Sequence, residues 1–161
     1  MSLFNNIIEQ IKTTLSQNSE LNSVKFVDTN IGEKVPNPIK NIYVSLGIGK
    51  VLINKAAFNS YLGKSVNGEQ YGNSLNIDIE MKIFSPKNIG IKRCYWVFSK
   101  IFEELLYHKK NFNIENISCE KIVYNEDISS FELECKLNFN AYLAYETQDI
   151  NISKISIEKK M

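Results

Sequence analysis

The sequence predicts an α+β fold: a mostly antiparallel sheet with an N-terminal helix and a long amphipathic helix packed on one face. Two stretches alternate strictly between apolar and polar residues, which is typical of strands with one buried and one solvated face. Between them, apolar residues recur at helical spacing. The apolar positions are Leu75, Ile77, Ile79, Met81 and Ile83 in the first stretch, Phe131, Leu133, Cys135, Leu137 and Phe139 in the second, and Ile91, Tyr95, Phe98, Phe102, Leu105 and Leu106 in the helix.

Before the first alternating stretch, the chain predicts a helix and two short strands. Leu3–Leu15 is apolar on one side and polar on the other, and Ser2 is a suitable N-cap. Val24–Val27 predicts a short strand. Asp28–Lys40 predicts a loop because it contains two prolines, which break a strand ladder. Alternation resumes at Ile42–Leu46 and predicts a second strand.

The regular pattern fades over Gly47–Asn73, which holds five of the seven glycines. Val51–Ile53 suggests a short strand there, and Lys55–Leu62 suggests either a short helix or an arm. We expect this long segment to be an arm that is either mobile or ordered by a partner.

After the first alternating stretch, the sequence predicts one helix and two strands. The helix spans about Ile91–Lys109. A strand over Ile114–Tyr124 is interrupted near Glu120–Lys121, and a turn follows at Asn125–Asp127. The second alternating stretch then continues to Tyr145, although its last residues are apolar on both faces.

Length and composition indicate one domain over residues 1–148, with residues 149–161 forming a tail or an edge strand. The net charge is +1, and all but one of the 19 basic residues are lysine, the exception being Arg93. Because arginine is the usual residue for bidentate phosphate recognition, this composition argues against specific nucleic-acid binding. No apolar run is long enough to span a bilayer, and no signal peptide is expected.

The sequence offers no catalytic set, so we predict no enzymatic activity, cofactor or metal. His108 is the only histidine and ends a helix beside two lysines. Gly47–Lys50 lacks most of the phosphate-loop pattern, and the acidic pairs Glu103–Glu104 and Glu126–Asp127 are expected on solvated faces. Three widely spaced cysteines are expected to be buried free thiols.

Two features indicate a surface that is covered by something. Trp96, Lys100, Glu103 and Tyr107 form a stripe on the predicted helix, on the side roughly opposite the predicted core stripe. Aromatic residues at such positions mark either an interface or a second buried layer within the same chain. The end of the second alternating stretch, with Tyr142 and Tyr145, predicts a central strand or one covered by another subunit.

The order of elements resembles the tail terminator family of tailed phages and related contractile bacteriocin particles. The resemblance covers about Leu3–Tyr145. It rests on the N-terminal helix, the approach Val35–Pro38 to a strand, the alternating stretch followed directly by a helix, and the closing stretch Phe131–Tyr145.

This resemblance implies a hexameric ring that caps the end of a tail tube and terminates tube and sheath assembly. The implied partners are further copies of the chain, the tail tube protein and, in a contractile tail, the sheath protein. Neither a membrane nor a specific nucleic acid is implied. The protein would assemble in the bacterial cytoplasm and leave in the released particle. The interface candidates are Trp96, Lys100, Glu103, Tyr107, Tyr61, Leu62, Tyr142 and Tyr145.

Two alternatives remain open at this point. The chain could be another structural component of the same particle, such as a baseplate or head-completion protein. It could also be a small-molecule-binding α+β domain, which would need an apolar pocket with convergent polar groups. If the ring hypothesis holds, Trp96→Ala or deletion of Tyr61–Gly68 should disrupt the ring without unfolding the subunit.

Overall fold

The computed structural model describes residues 3–55, 61–65, 68–108, 112–146 and 154–156, which form one mixed sheet and two helices. The helices are α1 (Leu3–Ser16) and α2 (Lys92–Glu103), and a π-helical turn over Glu104–His108 continues α2. The strands are β1 (Val24–Asp28), β2 (Ile42–Lys55), β3 (Tyr61–Ser65), β4 (Gly68–Pro86), β5 (Ile114–Cys119), β6 (Val123–Asn125), β7 (Ser130–Glu146) and β8 (Lys154–Ser156). The predicted α+β class is confirmed.

The two alternating stretches are neighbours at the centre of the sheet. They lie in β4 and β7, which pair antiparallel over all of β7 and nearly all of β4, with Ile77 opposite Phe139. The strand order is β1-β2-β4-β7-β5, with β3 paired to β4, and β6 and β8 paired to β7. Within the described residues only β1 and β2 pair in parallel.

Both helices pack on the face of the sheet that the alternation predicts to be dry. The apolar residues of β4 and β7 form one core with the buried residues of α1, which are Ile7, Ile8, Ile11 and Leu15. Cys94 and Cys135 are buried in this core, as predicted, whereas Cys119 is exposed, because it lies on an edge strand. No helix in the described ranges is long and apolar enough to cross a membrane.

The predicted core stripe of the second helix was only partly right. Leu105 is buried and Phe98 packs against the core, whereas Ile91 and Tyr95 are exposed. The other buried apolar residues of this segment are Cys94, Val97 and Ile101. The apolar residues of this segment cover more than half of the helix circumference, so helical spacing alone allows more than one buried stripe. The turn before α2 sets the rotation of the helix about its axis. In this turn the Ser85 hydroxyl donates a hydrogen bond to the Gly90 carbonyl oxygen at 2.9 Å.

The described part of Gly47–Asn73 is more regular than the sequence suggested. β2 continues to Lys55, β3 begins at Tyr61, and β4 begins at Gly68, so most of this region is sheet. The predicted strand at Val51–Ile53 is confirmed, because it lies within β2. The suggested helix over Lys55–Leu62 is not seen at its two ends, which belong to β2 and β3. Its middle, residues 56–60, lies outside the described ranges. Exposure of both faces removes the alternation that would reveal these strands.

The remaining elements agree with the sequence more closely. The irregularity near Glu120–Lys121 separates β5 from β6. Part of the C-terminal tail is an edge strand, because β8 pairs with Tyr142, Leu143 and Ala144 of β7. Ser2 and Lys109 lie outside the described residues.

Candidate assembly surfaces

The sheet continues beyond the helix-covered core as strands whose described residues are mostly exposed or half-buried. We call this part the sheet extension, which consists of residues 49–55, 61–65, 68–74 and 140–146. Burial along β2 changes sharply here: nearly every residue from Ile42 to Gly47 is buried, whereas the residues after Ile48 are exposed, except for half-buried Val51. Apolar side chains are nevertheless present, and Ile53 is 59% exposed. An apolar strand end of this kind is typical of an interaction surface.

The sheet extension exposes apolar residues on both of its faces. Ile53 lies opposite the fully buried Leu75 and therefore shares the face that the helices cover elsewhere. Leu52 lies opposite Asn76, on the other face, and is 44% exposed. Neither face of the extension is therefore purely polar.

A row of three tyrosine positions crosses the sheet extension. Tyr61 of β3 lies opposite Tyr71 of β4, which lies opposite Tyr145 of β7. The rings of Tyr61 and Tyr71 pack edge to face with centroids 5.6 Å apart, a favoured aromatic geometry. The structure therefore brings the strand positions of two predicted interface residues together through Tyr71, which the sequence analysis did not single out.

The signal that could have revealed this row is a turn dipeptide. Asn67–Gly68 is typical of a tight β-hairpin, and the register places Ser65 opposite Gly68. The two other candidates of this region, Leu62 and Tyr142, are half-buried. Tyr142 lies opposite Ser74, on the face that carries the polar side chains.

The stripe on α2 is used mainly within the chain itself. The Arg93 guanidinium lies 3.7 Å from the centre of the Trp96 ring, and Trp96 packs against the core. Lys100 pairs with Glu20 at 2.9 Å and with Glu103 at 3.2 Å. The hydrogen bonds to Glu20 and Glu103 raise the pKa of Lys100. For these residues the structure favours a second layer within the same chain.

The last residue of the stripe differs from the others. Tyr107 is 63% exposed, although its ring packs edge to face on Phe102. It is therefore available to a partner, whereas Trp96 is half-buried. Tyr107 is the better interface candidate on this helix.

We expect Trp96→Ala to destabilise the isolated subunit. Loss of a half-buried indole and its cation–π contact with Arg93 should cost about 1–3 kcal/mol of unfolding free energy, measured by urea unfolding. The matched control is Tyr95→Ala, which removes the exposed neighbouring aromatic and should change stability by less than about 0.5 kcal/mol. Equal effects of the two variants would contradict the packing of Trp96.

The face of the sheet opposite the helices is polar, and we call it the open face. Its centre is a network of amides and carboxylates across β4, β5 and β7. The Asn76 amide donates to Asn138 and Asn140, both at 3.0 Å, and the Asn138 amide donates to Asp78 at 2.5 Å. The Asn140 amide donates to Glu115. These bonds tie three strands together through side chains alone.

A cleft of about 320 Å³ lies beside this network. Its lining residues are Glu80, Met81, Lys82, Ser118, Cys119, Glu120, Glu134, Cys135 and Lys136. Lys82 and Glu134 form an ion pair at 2.6 Å, and that hydrogen bond raises the pKa of Lys82. Because the charged residues are half-exposed and of both signs, the cleft lacks the apolar enclosure of a typical small-molecule site.

Where the structure describes them, the residues considered for chemistry form no catalytic arrangement. Gly47–Lys50 lies inside β2 instead of forming a phosphate-binding loop. Glu104 is buried, contrary to the expectation of a solvated face, and accepts a hydrogen bond from Asn18 at 3.0 Å. The side chain of His108 lies outside the described residues. Among the residues that the structure describes, no cluster of three metal-ligating side chains occurs.

The chain matches no known protein-family model, and no curated protein is detectably similar to it in sequence.

Proposed function

We propose that this chain is the subunit of a hexameric ring that caps the end of a phage-like or contractile bacteriocin tail tube and terminates its assembly. The observation that carries the proposal is the sheet extension, whose exposed Ile53, Leu52 and Tyr61 lie beyond the cover of the helices. The order of elements, which resembles tail terminators, supports it.

The shape of the extension suits contacts around a ring. In a cyclic assembly each subunit uses one surface to bind a different surface of its neighbour. A set of strands that is already paired can contact a neighbour's surface through its apolar side chains, which limits the entropic cost of assembly. Tyr107 and the Tyr61–Tyr71 pair are the proposed aromatic contacts, either with the next subunit or with the tube.

The open face suits a solvated or weakly held surface of the ring. Its polar side chains are already hydrogen-bonded to one another, so they make few demands on a partner. We assign the lumen or the tube-contacting side of the ring to this face. The tail tube protein is the proposed partner there, and the sheath protein would contact the outer side in a contractile tail.

Electron microscopy tests this proposal directly. Native particles or tail tubes are mixed with gold-labelled chain, and the position of the label is recorded. Label confined to one tube end, over a ring-shaped density, is the expected result. Label at the opposite end would instead identify a baseplate component, and a stable monomer without association would contradict the particle hypothesis. If the ring stays on the tube, released particles should contain this chain.

A further inference from the structure

Two of the three cysteines lie directly opposite each other on neighbouring strands. Cys119 of β5 pairs in register with Cys135 of β7. The next pair along the ladder is hydrogen-bonded, because the Glu120 amide donates to the Glu134 carbonyl oxygen at 2.8 Å. Hydrogen-bonded and non-hydrogen-bonded pairs alternate in an antiparallel ladder, so the cysteines occupy a non-hydrogen-bonded pair.

This position has the geometry that a disulfide requires. The Cα atoms of a non-hydrogen-bonded pair are about 4.5 Å apart, and Cα atoms bridged by disulfides are about 4.4–6.8 Å apart. Burial raises the pKa of the Cys135 thiol, and the neighbouring Cys119 thiol adds to the rise. The register of β5 and β7 therefore already places the two cysteines at a position that suits a disulfide.

One thiol of the pair is accessible from solvent. Cys119 is exposed, so a small oxidant can reach it. Cys135 is buried, and burial raises the pKa of its thiol. Because Cys119 is exposed and Cys135 is buried, Cys119 is the residue that reacts with the oxidant first.

Cys94 is the third cysteine and does not fit this role. It lies on α2 and is fully buried, and its thiol donates to the Phe131 carbonyl oxygen at 3.7 Å. Burial raises its pKa to about 11. It has no strand partner, because it belongs to a helix. Cys94 therefore serves as an internal control for oxidation.

We propose that Cys119 and Cys135 are a redox pair, in which a peroxide oxidises Cys119 and Cys135 then closes a disulfide between β5 and β7. In the first step the Cys119 sulfur takes one oxygen of hydrogen peroxide, giving a sulfenic acid and water. In the second step the Cys135 sulfur attacks the sulfenic sulfur, and the hydroxyl leaves with the Cys135 proton as a second water. The two thiols lose two electrons, and the peroxide gains them.

The disulfide would fix an edge of the sheet to its centre. β5 lies at the end of the strand order, and only β7 pairs with it among the described strands. A covalent link at Cys119 would therefore hold the last residue of this edge strand in place. The chain would carry thiols in a reducing compartment and a cross-strand staple after oxidation. The inference does not depend on the proposed function.

Peptide mapping of the folded protein tests the proposal, because trypsin places each cysteine in a different peptide. Cleavage after lysine and arginine gives residues 111–121 with Cys119, 122–136 with Cys135 and 94–100 with Cys94. The intact protein is treated with hydrogen peroxide, blocked with N-ethylmaleimide during denaturation and digested without reductant. We expect peptide 111–121 linked to 122–136, while Cys94 carries the blocking group.

Matched variants make the result decisive. Cys94→Ser should still give the link, whereas Cys119→Ser should not, and its Cys135 should remain a thiol. In the wild type, oxidation should also slow hydrogen exchange of the β5 amides. Sulfinic acid at Cys119 without a link, a Cys119–Cys119 bond between chains, or a link to Cys94 would each overturn the proposal. The peptide map of the wild-type protein decides the outcome. The test therefore does not require a Cys135→Ser variant, which could fail to fold because Cys135 is buried.

Discussion

Ile53→Lys is expected to abolish ring assembly while the subunit remains folded. If the sheet extension is the proposed interface, each subunit contact loses a buried isoleucine, worth about 1.5–3 kcal/mol, and gains a lysine that must be desolvated. The loss recurs at every contact around the ring. The subunit itself should melt as the wild type does, because Ile53 is 59% exposed. Sedimentation velocity gives the assembly state and circular dichroism gives the melting temperature.

The matched control is Ile31→Lys. Ile31 lies in the short 3₁₀ helix Thr29–Ile31 and is 56% exposed. The variant therefore places the same positive charge at a similarly exposed isoleucine outside the sheet extension. This variant should assemble normally. Normal rings from Ile53→Lys would contradict the assignment of the extension as the interface. Loss of assembly in both variants would show that the added positive charge blocks assembly wherever it is placed.

The sequence predicted the centre of the fold because burial is one-sided there. The strands around Ile79 and Leu137 each bury alternate residues under the helices, so period-two alternation survives in the sequence. The first helix was predicted for the same reason, since Ile7, Ile8 and Ile11 are buried together in the core between the helix and the sheet. Where an element has one buried and one solvated face, the pattern identifies it.

The same logic explains what the sequence could not predict. In β2 and β3 of the sheet extension most residues are exposed on either face, so no alternation marks the strands around Leu52 and Tyr61. On α2, apolar residues cover more than half of the circumference, so helical spacing did not identify the buried stripe. The contacts that define the candidate surfaces, such as Tyr61 with Tyr71 and Cys119 with Cys135, depend on register between strands. Register depends on turn geometry and on bulges as well as on the hydrophobic pattern, so alternation alone does not determine it.

Gly72→Ala is expected to open the sheet extension without unfolding the core. Gly72 of β4 lies opposite Ala144 of β7, and a methyl group at residue 72 would overlap the Leu143 carbonyl oxygen. Because that atom belongs to the backbone of a paired strand, the strands must separate, at a cost of about 1–3 kcal/mol. Hydrogen exchange should accelerate over residues 68–74 and 140–146. It should stay slow around Ile79 at the sheet centre.

Gly49→Ala is the matched control, because it makes the same change in the neighbouring strand β2. The added methyl group would meet only the side chain of Glu80, which is exposed and can rotate away. Exchange and melting should therefore stay near wild type. If Gly72→Ala also left exchange unchanged, the close approach of β4 and β7 in the extension would be wrong. If it opened the extension and yet formed rings, assembly would not depend on the extension, and Tyr107 would become the leading interface residue.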